Sequence, residues 1–264
     1  MWTCVKWEWR RQFRQARFWG SLAALAVLGV LFAYGYGQMR GQADIQAILG
    51  RAVGNGFFVP ILALILCTGV ILPFFASVAG ADLVSGERQL GTWNILLTQG
   101  ISPWRLYLGK WWFGVGYSVL AVLVLAVSSL ASGIAWFGIH AAAIPSGVVV
   151  GPMGFVDIVA LMVGYAAAGQ IVVVTMSLLV SAFSRLTVSA IVVAVGILVF
   201  LPMLGDIPFL AATQRFFFTS YFSRVGDVLG YPVDWMPLVR GLEVYALYMV
   251  MFWAAILWFQ PFRD

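Results

Sequence analysis

The chain has 264 residues, of which 62% are hydrophobic and only 9% are charged. A soluble globular protein carries about 25% charged residues because its surface faces water, so this composition excludes a soluble domain. The net charge of +5 would suggest a nucleic-acid partner for a soluble protein. In a membrane protein, Lys and Arg report topology instead, and we expect the lipid bilayer rather than nucleic acid as the partner of this chain.

Residues 1–19 predict an amphipathic helix that lies at the membrane interface. Apolar side chains recur at helical spacing along one stripe, formed by Trp2, Val5, Trp9, Phe13 and Ala16. Cations form a second row about a quarter turn away, namely Lys6, Arg10, Arg14 and Arg17. Such a helix places its apolar side in lipid and its cations toward anionic headgroups. A signal peptide is the alternative, but the basic part is long and Trp-rich and no small-residue cleavage site follows.

Six apolar runs follow, each close to the roughly 20 residues that cross a bilayer. We predict spans at about 20–36, 57–79, 111–138, 155–181, 186–204 and 238–259, with a tight turn around Ser184. The long loop 205–240 opens with Gly205 and continues into an aromatic stretch, which predicts a re-entrant or interfacial segment. The predicted fold class is therefore all-α, a polytopic membrane protein with six transmembrane helices and an N-terminal amphipathic interfacial helix.

The distribution of Lys and Arg predicts the orientation. With the N-terminus inside, the inner side collects ten of the fifteen cations: Lys6, Arg10, Arg11, Arg14, Arg17, Arg88, Arg105, Lys110, Arg185 and Arg263. The outer side collects Arg40, Arg51, Arg215, Arg224 and Arg240. Cytoplasmic loops carry the excess of Lys and Arg, so both termini are predicted to be cytoplasmic. We expect a multi-pass protein of a bacterial or archaeal cytoplasmic membrane.

The loop 80–110 is the main cytoplasmic segment in this topology. Thr92 can cap a short helix from Trp93 to about Gln99, which Gly100 can end. Ser102 followed by Pro103 is a typical start for a second helix that leads into the third span. The short helix carries Trp93, Ile95, Leu96 and Leu97. Either a partner protein or the membrane surface could cover these residues, and the residue pattern alone leaves both readings open.

The same loop resembles the cytoplasmic signature of ABC-2 type transporter permeases. The matching pairs are Glu87-Arg88, Gly91-Thr92, Leu96-Leu97, Ile101-Ser102 and Gly109-Lys110. The resemblance extends more weakly over the N-terminal helix, the turn from Ser181 to Ser189 and the six-span layout. Gly100 departs from the family's frequent proline, and Gln89 and Asn94 replace common acidic residues. These departures bear on particular salt bridges rather than on the family.

The resemblance implies a permease subunit of an ATP-driven ABC-2 exporter that pairs with a second copy or a paralogue. In the family, each permease docks on a cytoplasmic ABC ATPase through a coupling helix in this loop. By analogy the coupling-interface residues are Glu87, Arg88, Gly91, Thr92, Trp93, Leu96 and Leu97. ATP and Mg would be bound by the partner ATPase. An accessory protein that meets the 205–240 loop on the outer side is left open.

The sequence of this chain carries no signature of its own catalysis. Gly109-Lys110 comes nearest to a phosphate-binding loop, but Trp111 follows it and Trp104 stands where the motif requires glycine. The single His140 has no metal-ligating neighbours, and the two cysteines, Cys4 and Cys67, are far apart. We therefore expect no enzyme activity, no cofactor and no metal in this chain, with ATP hydrolysis in a separate polypeptide.

Polar residues inside the predicted spans are few. Gln170 and Thr175 in the fourth span are the candidate translocation-pathway residues, with helix packing as the competing role. Asp157 and Glu243 lie near outer span ends, where snorkelling to water is easy. A nearly uncharged route fits an amphipathic, lipid-like or peptide substrate better than a small ion. The alternative functions are a scaffold or sensor that recruits a partner through the 80–110 loop, and a channel, which the lack of a filter motif disfavours.

Overall fold

The computed structural model describes residues 2–39, 55–93, 102–143, 148–205, 209, 211–230 and 233–259. Within these ranges most residues are helical. The α-helices are α1 (Trp2–Phe13), α2 (Ala16–Met39), α3 (Phe58–Gly69), α4 (Ile71–Gln89), α5 (Pro103–Phe137), α6 (Pro152–Phe183), α7 (Thr187–Gly205) and α8 (Trp235–Phe259). Two 3-10 helices, Ala211–Phe216 and Phe218–Leu229, stand between α7 and α8.

The described helices confirm the prediction of an all-α polytopic membrane protein. Five of them, α2, α5, α6, α7 and α8, are each long and apolar enough to cross a membrane. Helices α3 and α4 pass the same test together as a pair, bent by 54° at a one-residue break. The described chain therefore has five candidate spans, or six when the bent pair counts as one.

The bend between α3 and α4 has a cause in the sequence. Helix α3 ends at Gly69, Val70 leaves the helical region at φ −134° and ψ −53°, and α4 starts at Ile71. Pro73 follows in the first turn of α4. Proline has no N–H, and its ring collides with the carbonyl group four residues earlier, which here belongs to Gly69. These effects weaken the helix at this point, where the chain bends by 54°.

Helix α6 lies at the centre of the bundle. In its most apolar stretch 61% of residues are buried, against 11% for α7. Small residues let the neighbouring helices approach it closely, as is common between helices in membranes. A Cβ built on Gly80 of α4 would lie 2.9 Å from the carbonyl oxygen of Val174 on α6, and one built on Gly114 of α5 would meet the Val174 side chain.

The ends of α5 and α3 meet at the opposite end of the bundle from α1. The Asn55 side chain donates to the carbonyl of His140, and the Gly56 N–H donates to the carbonyl of Gly138 at 3.1 Å. Next to this contact, Ala142–Ala143 and Val149–Val150 form a short antiparallel pair of strands, with Ala142 opposite Val150.

The N-terminal segment differs from the single helix predicted over 1–19. A turn at Arg14 and Gln15 separates α1 from α2, which begins at Ala16. Aromatic residues stabilise the turn. The Trp19 indole N–H donates to the carbonyl of Phe13 at 2.9 Å, and the Phe13 and Phe18 rings pack edge to face. Because α1 packs along α5, the chain must change direction here. The turn contains no Gly or Pro, so the sequence gives no local signal for it.

The predicted loop 80–110 is largely helical where it is described. Helix α4 continues to Gln89, and α5 already begins at Pro103 with Ser102 as its N-cap residue. The start at Pro103 agrees with the prediction, although the Ser102 side chain makes no capping hydrogen bond. The predicted short helix from Trp93 to Gln99 and its end at Gly100 lie outside the described residues, apart from Trp93 itself. Hydropathy placed the helix ends too early because polar residues paired inside the protein do not end a helix.

The second 3-10 helix, Phe218–Leu229, packs into the bundle. Phe222 lies beside Gly169 and Tyr245, which stand near the middle of α6 and α8. The Tyr165 hydroxyl donates to the carbonyl of Tyr221 at 3.0 Å, and Phe218 contacts the Tyr248 ring. Contacts at this depth favour the re-entrant form of the two that the sequence predicts for 205–240.

The close approach of Gly133 and Gly56 can be tested by adding one methyl group. A Cβ on Gly56 would lie 2.6 Å from the Gly133 carbonyl oxygen, and a Cβ on Gly133 would meet the Gly56 carbonyl in return. Overpacking of this kind costs about 1–3 kcal/mol, so we expect Gly133→Ala to lower the thermal unfolding temperature in detergent. Gly164→Ala on α6 is the control, since nothing lies within 4 Å and alanine favours a helix. Equal unfolding temperatures for the two variants would contradict the packing.

Candidate coupling site

Four charged side chains from three helices meet at the end of the bundle that carries α1. Glu87 of α4 forms an ion pair with Lys110 Nζ of α5 at 2.7 Å and accepts a hydrogen bond from Arg11 Nη1 of α1. Lys110 Nζ also lies 3.3 Å from Glu8 Oε2 of α1. We refer to Glu8, Arg11, Glu87 and Lys110 as the charge cluster.

The charge cluster is removed from solvent. Glu8, Glu87 and Lys110 expose 2%, 0% and 2% of their surface, and only Arg11 is partly exposed. Two carboxylates and two cations balance, which is the condition under which charges are tolerated inside a protein. Gln12 supports the cluster by donating to Glu8 Oε1 at 3.2 Å. The arrangement therefore holds α1, α4 and α5 together at a single point.

A second set of contacts joins the end of α4 to the end of α6. The hydroxyl oxygen of Ser181 accepts from the backbone N–H groups of Val84 and Ser85, at 3.1 and 2.8 Å. The Arg88 guanidinium donates to the carbonyl of Ala182. The turn to α7 follows at once, around Ser184 as predicted. A displacement of the last turn of α4 would therefore act on α6 and α7 as well as on α5.

Gly91 and Thr92 end α4. Gly91 adopts φ +71°, the left-handed conformation that favours glycine after a helix, and its N–H donates to the Arg88 carbonyl at 3.1 Å. The Thr92 hydroxyl donates back to the Glu87 carbonyl at 3.2 Å. This bond ties Thr92 to the helix before it, while the backbone groups that Thr92 would cap in the predicted next helix lie outside the described residues, so its role as an N-cap stays a prediction.

On either side of Gly91, the chain exposes an aliphatic side chain and buries an aromatic one. Trp93 is 7% exposed and packs edge to face on Tyr107 of α5, with the Arg88 guanidinium 5.5 Å from its ring centroid. Leu90 is 74% exposed. An apolar side chain this exposed beside the buried charge cluster is the candidate contact for a partner.

The structure separates the predicted coupling residues into two groups. Glu87 and Trp93 are buried within the chain, and Arg88 is half-buried on α6. Gly91 and Thr92 are exposed. Leu96 and Leu97 lie outside the described residues. A direct contact of these side chains with an ATPase stays a prediction. Because Glu87 is buried, its expected role is indirect, through its ion pairs with Arg11 and Lys110.

Sequence reasoning missed Glu8, Arg11 and Lys110 as members of a site. The sequence predicts Arg11 only as an inner-side cation, and Lys110 as an inner-side cation and as part of the Gly109-Lys110 pair of the family signature. The available signal was Glu8, the single carboxylate in residues 1–19, placed among five cations. An isolated acidic residue in a basic helix indicates a specific partner, but the sequence does not tell which of the inner cations it contacts.

A comparison with protein-family models finds a match to the ABC-2 family transporter protein model over residues 2–223. This match covers α1 to α7 and part of the second 3-10 helix. The chain belongs to the ABC-2 transporter family. It is therefore a permease of the ABC transporter type, and such permeases generally work with an ABC ATPase subunit in a lipid bilayer. No curated protein matches the chain.

The two predicted pathway residues of the permease differ in their surroundings. Thr175 accepts from the Trp111 indole N–H at 2.9 Å and donates to the Ile171 carbonyl at 2.7 Å, which is a packing arrangement. Gln170 is 1% exposed, and neither side-chain atom has a hydrogen-bond partner among the described residues. Buried amides without partners are rare, so Gln170 is the better pathway candidate of the two.

Other polar groups of the permease offer little chemistry. In the described part of the chain, no three His, Cys, Asp or Glu side chains form a group that could hold a metal ion. Cys67 is a buried free thiol in α3. Asp157 and Glu243, which we predicted to snorkel, are both exposed.

The charge cluster predicts a large effect for Lys110→Met. Loss of the ammonium leaves two buried carboxylates with only the partly exposed Arg11, and breaking a buried pair costs about 3–5 kcal/mol. We expect a marked fall in the thermal unfolding temperature in detergent. Lys6→Met is the matched control, because Lys6 is exposed on α1 and should change stability by less than about 0.5 kcal/mol.

A double variant checks the origin of that loss. In Glu8→Gln/Lys110→Met the number of unpaired carboxylates falls by one, so part of the stability should return. A double variant less stable than Lys110→Met would show that the two side chains do not share one cluster.

For Gln170 we expect stability and activity to move in opposite directions. Gln170→Met removes an amide that has no partner, so the unfolding temperature should stay or rise. If the amide meets the transported molecule, the transport rate of the reconstituted permease–ATPase complex should fall. Thr175→Val is the comparison, and it should lose about 1 kcal/mol because it abolishes the Trp111 hydrogen bond. A Gln170→Met protein destabilised as much as Thr175→Val would assign Gln170 to packing.

Proposed function

We propose that this chain is the transmembrane subunit of an ATP-driven exporter, in which a separate ATPase acts on the end of α4. The observation that carries the proposal is the charge cluster, which joins α1, α4 and α5 directly beside the exposed Leu90. A force applied by a partner at Leu90 would reach three helices through one buried network.

Helix α4 is suited to transmit such a displacement. It runs without interruption from Ile71 to Gln89 and is held to α6 along its length, by close packing at Gly80 and by the Ser181 hydrogen bonds. Its other end is the break at Val70. A push on the end near Leu90 would therefore change the angle at the break rather than bend the helix.

ATP hydrolysis belongs to the partner in this proposal. The phosphate-loop motif does not occur at Gly109-Lys110, and Lys110 is committed to two carboxylates. ATP and Mg would be bound by the ATPase, whose closure supplies the energy. The role of this chain is to convert the closure into a rearrangement of helices.

The proposed topology places the charge cluster on the cytoplasmic side. Helix α1, the end of α4 and the α6–α7 turn lie together there, through the contacts of Glu8 with Lys110 and of Arg88 with Ala182. The end of α8 lies at the same end, since Trp253 packs on Trp104 and Trp111. This arrangement supports the prediction that both termini are cytoplasmic.

The proposal is tested by co-purification from the native host in a mild detergent. The tagged full-length chain should retain a stoichiometric protein with a phosphate-binding loop, identified by mass spectrometry. We expect Leu90→Asp to weaken that association tenfold or more, because it places a charge in an apolar contact. Ile139→Asp is the control, an exposed apolar residue at the opposite end of the bundle that should change nothing.

Each other outcome identifies what fails. If Leu90→Asp retains the ATPase as well as the unchanged chain does, the contact lies elsewhere. If the unchanged chain purifies with a partner that is not an ATPase, the scaffold or sensor function replaces the exporter. If the ATPase is present but its hydrolysis rate does not respond to Leu90→Asp, association and coupling are separate.

A further inference from the structure

A cleft of about 740 Å³ opens beside the charge cluster. Its walls are the α1–α2 turn on one side and α4 and α7 on the other, with α5 at the back. The 54° bend before Ile71 gives α4 a direction different from that of α3 and so shapes one wall of this space. The volume lies within the range of about 300–1,000 Å³ found for sites that bind small molecules.

The cleft is apolar at its back and polar at its rim. The apolar residues come from four helices and include Phe18, Phe75, Phe113, Tyr117 and Ile191. The polar residues include Arg11, Gln12, Gln15, Arg17, Asp82 and Gln89. This division fits a molecule with an apolar chain and a hydrogen-bonding headgroup.

The cleft opens between two lipid-facing helices. Val188 of α7 lines it and is 70% exposed, while the Arg17 side chain on the α2 side is 80% exposed. Farther along, Leu31 of α2 and Val192 of α7 expose apolar side chains. A lipid-like molecule could therefore enter sideways from the bilayer without crossing water.

The rim favours an anion. Arg17 stands at the rim, and the exposed cations of α1 and of the α1–α2 turn, Arg10 and Arg14 among them, add positive potential nearby, whereas Arg11 is already balanced within the charge cluster. Arg17 Nη1 lies 3.4 Å from Asp82 Oδ1, across the space between α2 and α4. Because this pair is exposed it is weak, and Arg17 is available to turn toward a phosphate.

We propose that this cleft binds an anionic phospholipid, with its phosphate at Arg17 and the rim amides and an acyl chain against Phe113 and Tyr117. The lipid comes from the leaflet on the α1 side. The assignment rests on the proposed function only in naming that leaflet cytoplasmic, and the binding itself needs no ATPase. A ligand here touches α2 and α4 together, so it is placed to sense or to limit the movement of α4.

The test uses a photoactivatable lipid in nanodiscs. The full-length chain is reconstituted in phosphatidylcholine with a small fraction of phosphatidylglycerol that carries a diazirine on its acyl chain. After irradiation, the labelled residues are mapped by mass spectrometry. We expect label at Phe113, Tyr117 or Ile191 inside the cleft, besides label on outward-facing Leu31 from bulk lipid.

Selectivity for the anion is measured as the ratio of cleft label to Leu31 label. With the same diazirine on phosphatidylcholine the ratio should fall threefold or more. Arg17→Gln should lower the phosphatidylglycerol ratio to a similar degree. Arg14→Gln is the matched control, an exposed cation of the adjoining α1–α2 turn that does not line the cleft, and it should lower the ratio much less than Arg17→Gln does.

A second variant keeps the test independent of charge. Ala79→Trp places a large ring in the cleft and should abolish the label at Phe113 and Tyr117 while Leu31 remains labelled. Equal ratios for the two lipids, or an unchanged ratio in Arg17→Gln, would overturn the anionic ligand. Absence of cleft label in the unchanged chain would overturn the site, including the case in which a second copy covers it. None of these results depends on co-purification of an ATPase, so the two proposals fail separately.

Discussion

The burial of Glu87 is the constraint on which this end of the molecule depends. A carboxylate with no exposed surface requires cations at contact distance, and these come from α1 and α5. Glu8 then needs Lys110 for the same reason. The position of α1 is thus set by charge pairing with the bundle as well as by its amphipathic pattern. A helix described only as lying on the membrane would be free to slide, whereas this one is held in register with α4 and α5.

The break before Ile71 matters because the opposite end of α4 is fixed by the charge cluster. Helix α4 is held at one end by the charge cluster and along its side by α6, so the break is where its direction can change. The same helix forms a wall of the cleft and carries the exposed Leu90. Under the two proposals, a partner that contacts Leu90 and a lipid that occupies the cleft would therefore act on one element. Coupling in this sense needs no long pathway, since both sites bias the orientation of a single helix.

Hydropathy and the Lys and Arg distribution were sufficient for the fold class. The starts at Pro103 and after Ser184 were readable because proline and a short polar turn leave local signals. The break at Val70 was not, because 57–79 is a continuous apolar run and a hydropathy average does not register the missing N–H of Pro73. The extension of α4 to Gln89 was hidden for the opposite reason: its last turns are polar, yet contacts with Ser181 and within the charge cluster hold them inside the bundle. Their helical state is set by residues distant in sequence.

The candidate site shows the same limit. The segment from Glu87 to Trp93 could be singled out from one sequence, but the partners that give Glu87 its role lie at positions 8, 11 and 110. With those partners in place, Glu87 and Arg88 have different roles. Glu87 faces inward and joins three helices, and Arg88 reaches α6. The positions beyond them, Leu90 to Thr92, are exposed, and they are the ones that the proposed function assigns to a partner. Under the proposed function, a buried ionic network behind an apolar contact would convert a non-directional hydrophobic association into a directional displacement, because the charge pairs fix the relative positions of three helices. That is the property a coupling element requires, and a surface salt bridge, worth about 0–1 kcal/mol, could not supply it.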